Sequence, residues 1–287
     1  MSVAIIQERL ATYACRSTLE EEQALREITQ EIILAGLGRT DLFGRAGFQG
    51  GTCLRIFHSL NRFSEDMDFA LAAPDPRFQL SPYLDRVRRE LTVYGYELEI
   101  DDRSKAGAAM RQAFVKDGSV GKLLSFNYRP RTGPMRKLRI KLEVDTNPPS
   151  GARYEMPILD YPFPAAVRIF DPPSLFAGKL HALLCRNYLK GRDWYDFTWY
   201  TARRTSINHE LLSAALDQQG RFKGRAPKTD DAWCVEQLRA RIEEVDWGQA
   251  RRDVQRFVRP SELPSLELWT RAFFEERCAR LGEVRSP

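Results

Sequence analysis

The sequence predicts an α+β fold in two lobes, with a mixed sheet and flanking helices over residues 1–165 and a mostly helical lobe over residues 166–287. Three observations predict it. A helical pattern near the N-terminus gives way to runs that alternate like strands as far as Asp145; residues 147–173 are rich in proline; and beyond them the pattern is helical and arginine-rich. The 287 residues, 43% of them hydrophobic, suffice to bury a core in each lobe. Lysine and arginine number 44 against 39 acids, a net +5 that permits a nucleic-acid partner without requiring one. Five scattered cysteines with no paired spacing suit a reducing cytoplasm, and no apolar run approaches the roughly 20 residues that span a bilayer. A soluble cytoplasmic protein without a membrane partner is therefore expected.

In chain order, Leu25, Ile28, Ile32 and Leu34 recur at helical spacing behind Ser17, with Gly36 and Gly38 as the expected end of that helix. Gly50 and Gly51 let the backbone bend and approach a ligand, and Thr52 is the expected N-cap of a helix running to Leu60. The amides and dipole of such a helix start attract phosphate. From Ser64 to Leu71 the residues alternate like a strand, so Asp66 and Asp68 share one face and Met67 and Phe69 the other. Two adjacent carboxylates repel unless a cation lies between them, and hard oxygen donors of this kind suit magnesium. A second helix with a basic outer face follows over residues 80–94, then strand-like runs at 96–100, 113–115, 123–128 and 138–145. The last run puts Lys141, Glu143 and Asp145 on one face, which offers a third carboxylate without choosing between Glu143 and Asp145. Taken alone, that segment also reads as an edge strand with a solvated charged face.

Past the prolines, Asp171-Pro172-Pro173-Ser174 opens a helix carrying Lys179 and Arg186. Gly191 then precedes an aromatic-rich helix with Asp193 and Asp196 at i, i+3, most of whose aromatics read as core. Residues 220–228 read as a basic solvated loop within reach of phosphates. His58, His181 and His209 are isolated and show no metal-ligand spacing.

Gly50-Gly51-Thr52 followed by Arg62-Phe63-Ser64-Glu65-Asp66-Met67-Asp68 resembles the glycine-glycine-(Ser/Thr) and Asp-x-Asp signature of the nucleotidyltransferase superfamily. With Lys141-Leu142-Glu143, the helix bearing Lys179, and Arg192-Asp193-Trp194-Tyr195-Asp196, the order is similar to that of the AbiEii family of bacterial toxins, over about residues 25–200. The resemblance implies a nucleotidyltransferase-type sheet and a toxin that transfers an NMP from an NTP, with two Mg2+ ions, to an acceptor hydroxyl at the 3′ end of tRNA. It also implies a cognate antitoxin from an adjacent gene. Asp66, Asp68 and Glu143 are then the metal ligands. Gly50, Gly51, Thr52, Arg62, Ser64 and Lys141 are nucleotide-binding candidates, while Lys179 reaches the β- and γ-phosphates and Asp196 orients Lys179 or contacts the nucleotide. Arg62 and Arg186 read equally as phosphate ligands or surface arginines. The expected active site is a cleft between the lobes. A phosphate on Ser64 would compete with the NTP, an expectation that intact mass after co-expression with an antitoxin checks. Transfer to a protein or an aminoglycoside-like small molecule, and a non-catalytic nucleic-acid-binding protein, are the alternatives.

Overall fold

The computed structural model describes residues 2–105, 108–119, 124–128, 137–225 and 227–283. The chain forms two compact units, one of Met1–Ser59, Phe63–Pro148 and Glu155–Ile169, the other of Leu60–Arg62, Pro149–Tyr154 and Phe170–Pro287.

The first unit begins with α1 (Ser2–Ala11), which sequence periodicity did not reveal, and α2 (Thr18–Leu37). Ser17 caps α2 by accepting from the Glu20 amide at 3.2 Å, so the helix starts where its sequence predicts. It ends at Leu37 with Gly38 at its C-cap, so of the two glycines expected to end it Gly38 does so. Gly36 lies inside the last turn, where α5 (Ser81–Val93) passes so close that a Cβ would stand 2.9 Å from Glu90 Cγ. Packing contact, not helix termination, is its role. Ile28, Ile32, Ile33 and Leu34 are fully buried, while the buried acids of α2 are each bonded: Glu20 by the Arg16 amide at 2.5 Å, Glu21 by the Asn127 amide at 2.6 Å, Glu27 by Arg55 at 2.7 Å, and Glu31 by Arg9 at 2.5 and 3.1 Å. A carboxylate left unpaired at such depth would cost several kcal/mol.

After the short α3 (Leu42–Arg45) come β1 (Ala46–Gln49), α4 (Gly50–His58) and β2 (Asp66–Leu71); β3 (Leu98–Asp102), β4 (Met110–Asp117) and β5 (Leu138–Asp145) follow α5. β6 (Tyr154–Glu155) and β9 (Ile169–Phe170) complete a sheet in the order β3-β4-β5-β2-β1-β9-β6, and β7 (Ile158–Leu159) pairs with β8 (Ala165–Ala166). β5 is thus interior, antiparallel to β4 and parallel to β2, which overturns the edge-strand reading of its charged face. Phe48 and Phe69 pack under the β1–β2 pair with ring centroids 5.0 Å apart, and Met67 beside them is fully buried. Residues 124–128 form no strand, although their apolar content had suggested one; Leu123 lies outside the described residues.

The second unit is helical: α6 (Pro172–Cys185), α7 (Gly191–Ala202), α8 (His209–Gln218), α9 (Asp231–Glu243), α10 (Trp247–Gln255), α11 (Leu263–Leu266) and α12 (Arg271–Ala279). Asp171 caps α6 by accepting from the Ser174 amide at 2.8 Å. Trp194 of α7 meets Trp247 at 5.1 Å and Phe274 at 5.2 Å, and Phe176 stacks on Tyr200 at 4.4 Å, so the aromatics of α7 form the core of this unit. Among the described residues no helix is long and apolar enough to cross a membrane.

Candidate active site

Asp66 and Asp68 are half-buried residues at the first and third positions of β2. The parallel register with β5 sets Asp66 opposite Lys141, Asp68 opposite Glu143 and Ala70 opposite Asp145. Side chains at facing positions of neighbouring strands share a face, so Asp66, Asp68 and Glu143 stand at adjoining places on one side of the sheet. Asp145 is one step farther along. Burial raises its pKa above the ordinary carboxylate value, and it accepts from the Asn147 amide at 2.9 Å.

The start of β2 is held from two sides. Gln30 of α2, only 1% exposed, donates its carboxamide to the carbonyls of Ser64 at 3.2 Å and Glu65 at 3.0 Å. The Thr52 hydroxyl donates to the Asp66 carbonyl. Thr52 is therefore not the N-cap that the sequence suggests: α4 starts at Gly50 with Gln49 at its cap, ends at His58, and directs the fully buried Thr52 inward. Gly50, at φ +79°, lies directly against Asp68, since a Cβ there would stand 2.5 Å from Asp68 Oδ2. Only glycine combines that dihedral with that contact. Gly51 follows at the second position of α4, where helix amides lack intrahelical acceptors. Ser64 precedes β2 instead of lying on its face, because the strand begins at Asp66.

The Glu143 carboxylate accepts from Gln112 Nε2 at 2.6 Å and pairs with Lys141 Nζ at 2.7 Å. Gln112 faces Glu143 across the β4–β5 pair. Among the described residues no three His, Cys, Asp or Glu side chains are gathered tightly enough to form a metal cage. The donors nevertheless fit a hard divalent cation: all are carboxylate oxygens, they adjoin on one face, and the missing Cβ of Gly50 lets the start of α4 come up against the Asp68 carboxylate.

In the second unit, Lys179 pairs with Asp193 and Asp196, each at 2.7 Å, and Arg186 also pairs with Asp193. Arg62, 2% exposed, grips Asp196 through two bonds of 2.6 Å. This corrects the reading of Arg62 as a phosphate ligand, because its guanidinium is committed to a buried carboxylate. Asp196 is 0% exposed and engaged by both cations. Burial alone would lower the Lys179 pKa, but Asp193 and Asp196 outweigh it and hold the ammonium above its ordinary value. For Asp193 and Asp196 burial works upward, and the surrounding cations win, keeping both carboxyls below the usual range. Three cations against two carboxylates leave the cluster with one net positive charge.

Gln30 and Gln112 are the residues that motif reading passed over, and Asp193, although part of a motif, is given no role by it. The two glutamines are invisible from sequence because their partners lie 34 and 31 residues away. Asp193 did have a signal, its i, i+3 spacing from Asp196.

Residues 32–273 match the family model described as "Nucleotidyl transferase AbiEii toxin, Type IV TA system". The fold is similar to JHP933 from Helicobacter pylori, with a TM-score of 0.51 at 17% identity, covering 92% of this chain and 90% of that one. It is also similar to MenT4, a nucleotidyltransferase toxin from Mycobacterium tuberculosis H37Rv, with a TM-score of 0.50 at 17% identity and 100% of both chains covered. No curated protein matches the sequence.

Proposed function

Because the chain belongs to the AbiEii family of nucleotidyltransferase toxins, we propose that it moves an NMP from an NTP to the 3′ hydroxyl of tRNA, using Asp66, Asp68 and Glu143 to hold Mg2+. The observation that carries the assignment of the metal ligands is the register of β2 on β5, which seats Glu143 beside Asp68 and Asp145 beside Ala70. In the reaction the acceptor oxygen bonds to the α-phosphorus, the bond from that phosphorus to the β-phosphate bridging oxygen breaks, and pyrophosphate leaves with the electron pair. The bound metal supplies charge neutralisation on the reacting phosphate and lowers the pKa of the acceptor hydroxyl.

The chain's own groups divide the remaining work. Gly50 and Gly51 present the amides of the α4 terminus to the triphosphate, and its dipole favours the same anion. Glu143 receives the acceptor proton, with Gln112 fixing its carboxylate. Lys141, paired with Glu143 at 2.7 Å, would offer its ammonium to the nucleotide if Glu143 held the cation. Lys179, pre-aligned by Asp193 and Asp196, is the ammonium assigned to the β- and γ-phosphates. The cognate antitoxin completes the pair that a type IV system requires.

Incubating the protein with magnesium, each labelled NTP in turn and total tRNA tests this reading, with Asp66→Ala alongside. Labelled RNA that disappears in the variant is the expected result. Label on protein in place of RNA would show that the acceptor is wrong; label on neither would remove the transfer reaction itself.

A further inference from the structure

Between Asp217 and Asp230 the chain carries no acid, yet it carries Arg221, Lys223, Arg225 and Lys228. All four are exposed, and none forms an ion pair among the described residues. By sequence this stretch reads as a solvated flexible loop. Instead the structure shows a folded turn tied at both ends. Gly220, at φ +84°, packs on Cys185 so tightly that a Cβ would stand 2.6 Å from its Sγ, and the Arg221 backbone hydrogen-bonds that thiol. The Lys223, Gly224 and Arg225 amides donate to the carbonyls of Gly220 at 3.2 Å, Asp217 at 2.9 Å and Phe222 at 3.0 Å. The Thr229 hydroxyl closes the far end on the His209 carbonyl at 3.0 Å. Phe222 sets its ring against Trp233 at 5.4 Å, and Arg221 lies over Phe222 at 4.8 Å.

An ordered, exposed turn that gathers four cations and no acid is a patch of positive potential that attracts polyanions. We propose that this turn grips the phosphate backbone of the acceptor RNA, an inference that rests on the RNA reading of the acceptor. A protein partner fits it less well, because protein interfaces concentrate their energy in apolar and aromatic anchors, and the single aromatic of the turn is already packed against Trp233. A polyanion needs only the charges, released from counterions on binding. The turn rests on α6 at Cys185, six residues or about 9 Å along the helix axis from Lys179. It therefore steadies the strand a short distance from the ammonium assigned to the triphosphate.

The test is tRNA binding measured over a salt series for the full chain and for Arg221→Ala/Lys223→Ala/Arg225→Ala/Lys228→Ala, with thermal midpoints confirming that both fold. If all four cations meet phosphates, the slope of log affinity against log salt falls by about 3, and affinity at low salt drops at least ~10-fold. Arg221→Lys/Arg225→Lys, which keeps the charge, should retain the wild-type slope. An unchanged slope in the alanine variant, with wild type still labelling RNA, overturns the turn and leaves the acceptor reading standing. Loss of antitoxin co-purification with an unchanged RNA slope overturns it in favour of a protein contact. A wild type that neither binds nor labels RNA removes both.

Discussion

At the residue scale, the decisive contacts are those of Asp68, Glu143 and Asp196. Asp68→Asn keeps the shape and removes a charge at the proposed metal, so transfer should fall by at least ~10³-fold while the thermal midpoint holds or rises, since one carboxylate of a repelling pair is gone. Gln112→Ala acts through Glu143, and groups that orient metal ligands typically cost 10- to 100-fold. A fall of about that size in kcat, with KM for the NTP little changed, is expected in steady-state kinetics, and Gln112→Glu should not rescue it because it sets like charge beside Glu143. Asp196 behaves differently. Its loss strands Arg62 and Lys179 in a buried place, so Asp196→Asn should destabilise the protein by about 3–5 kcal/mol in urea unfolding. Because the folded pKa of Asp193 and Asp196 lies below the ordinary 3.8, their contribution is fully present above that value and is lost as pH falls through the lower folded values. Asp196→Asn should accordingly flatten the acid limb of the stability curve and leave its shape above pH 5 unchanged.

At the element scale, the junction of α4 with β2 shapes the site. Three successive carbonyls, those of Ser64, Glu65 and Asp66, are held by Gln30 from α2 and Thr52 from α4. The hydroxyl that resembles a phosphate ligand in sequence is thus a brace for the strand. Thr52→Val conserves the volume and leaves the Asp66 carbonyl without its donor, which should cost about 1–3 kcal/mol by denaturant unfolding, with transfer falling in parallel. Thr52→Ser should restore most of both. A variant that loses activity at full stability would instead point to direct contact between Thr52 and the nucleotide.

At the scale of the whole molecule, the two units are interleaved in sequence: Leu60–Arg62 counts with the helical unit although its flanks count with the sheet unit, and Glu155–Ile169 returns to the sheet unit. Ile169 of that returning segment lies beside Phe48, parallel to β1, and Val167 and Ile169 are almost fully buried. A fragment ending at residue 148 exposes that edge of β1 and the apolar residues beneath it, and should show no cooperative melt by circular dichroism. A fragment ending at residue 169 retains every segment of the sheet unit, and its melt should be cooperative.

The sequence by itself determined α2 and α6, because their periodicity and caps at Ser17 and Asp171 are local, and it determined the Asp66/Asp68 pair, because alternation along one strand needs no partner. It also carried the family likeness, through motifs that lie in order along the chain. Tertiary structure decided everything that depends on a neighbour distant in sequence. The register of β2 on β5 separated Glu143 from Asp145, burial assigned Arg62 to Asp196, and the packing of α4 turned Thr52 inward. The close pass of α5 requires the missing Cβ of Gly36, and the ties to α6 and α8 made a folded basic turn of what reads as a loop. The physical reason is the same throughout: a residue type records what a side chain can bond, whereas its partner is chosen by which strand or helix the fold brings within about 3 Å of it.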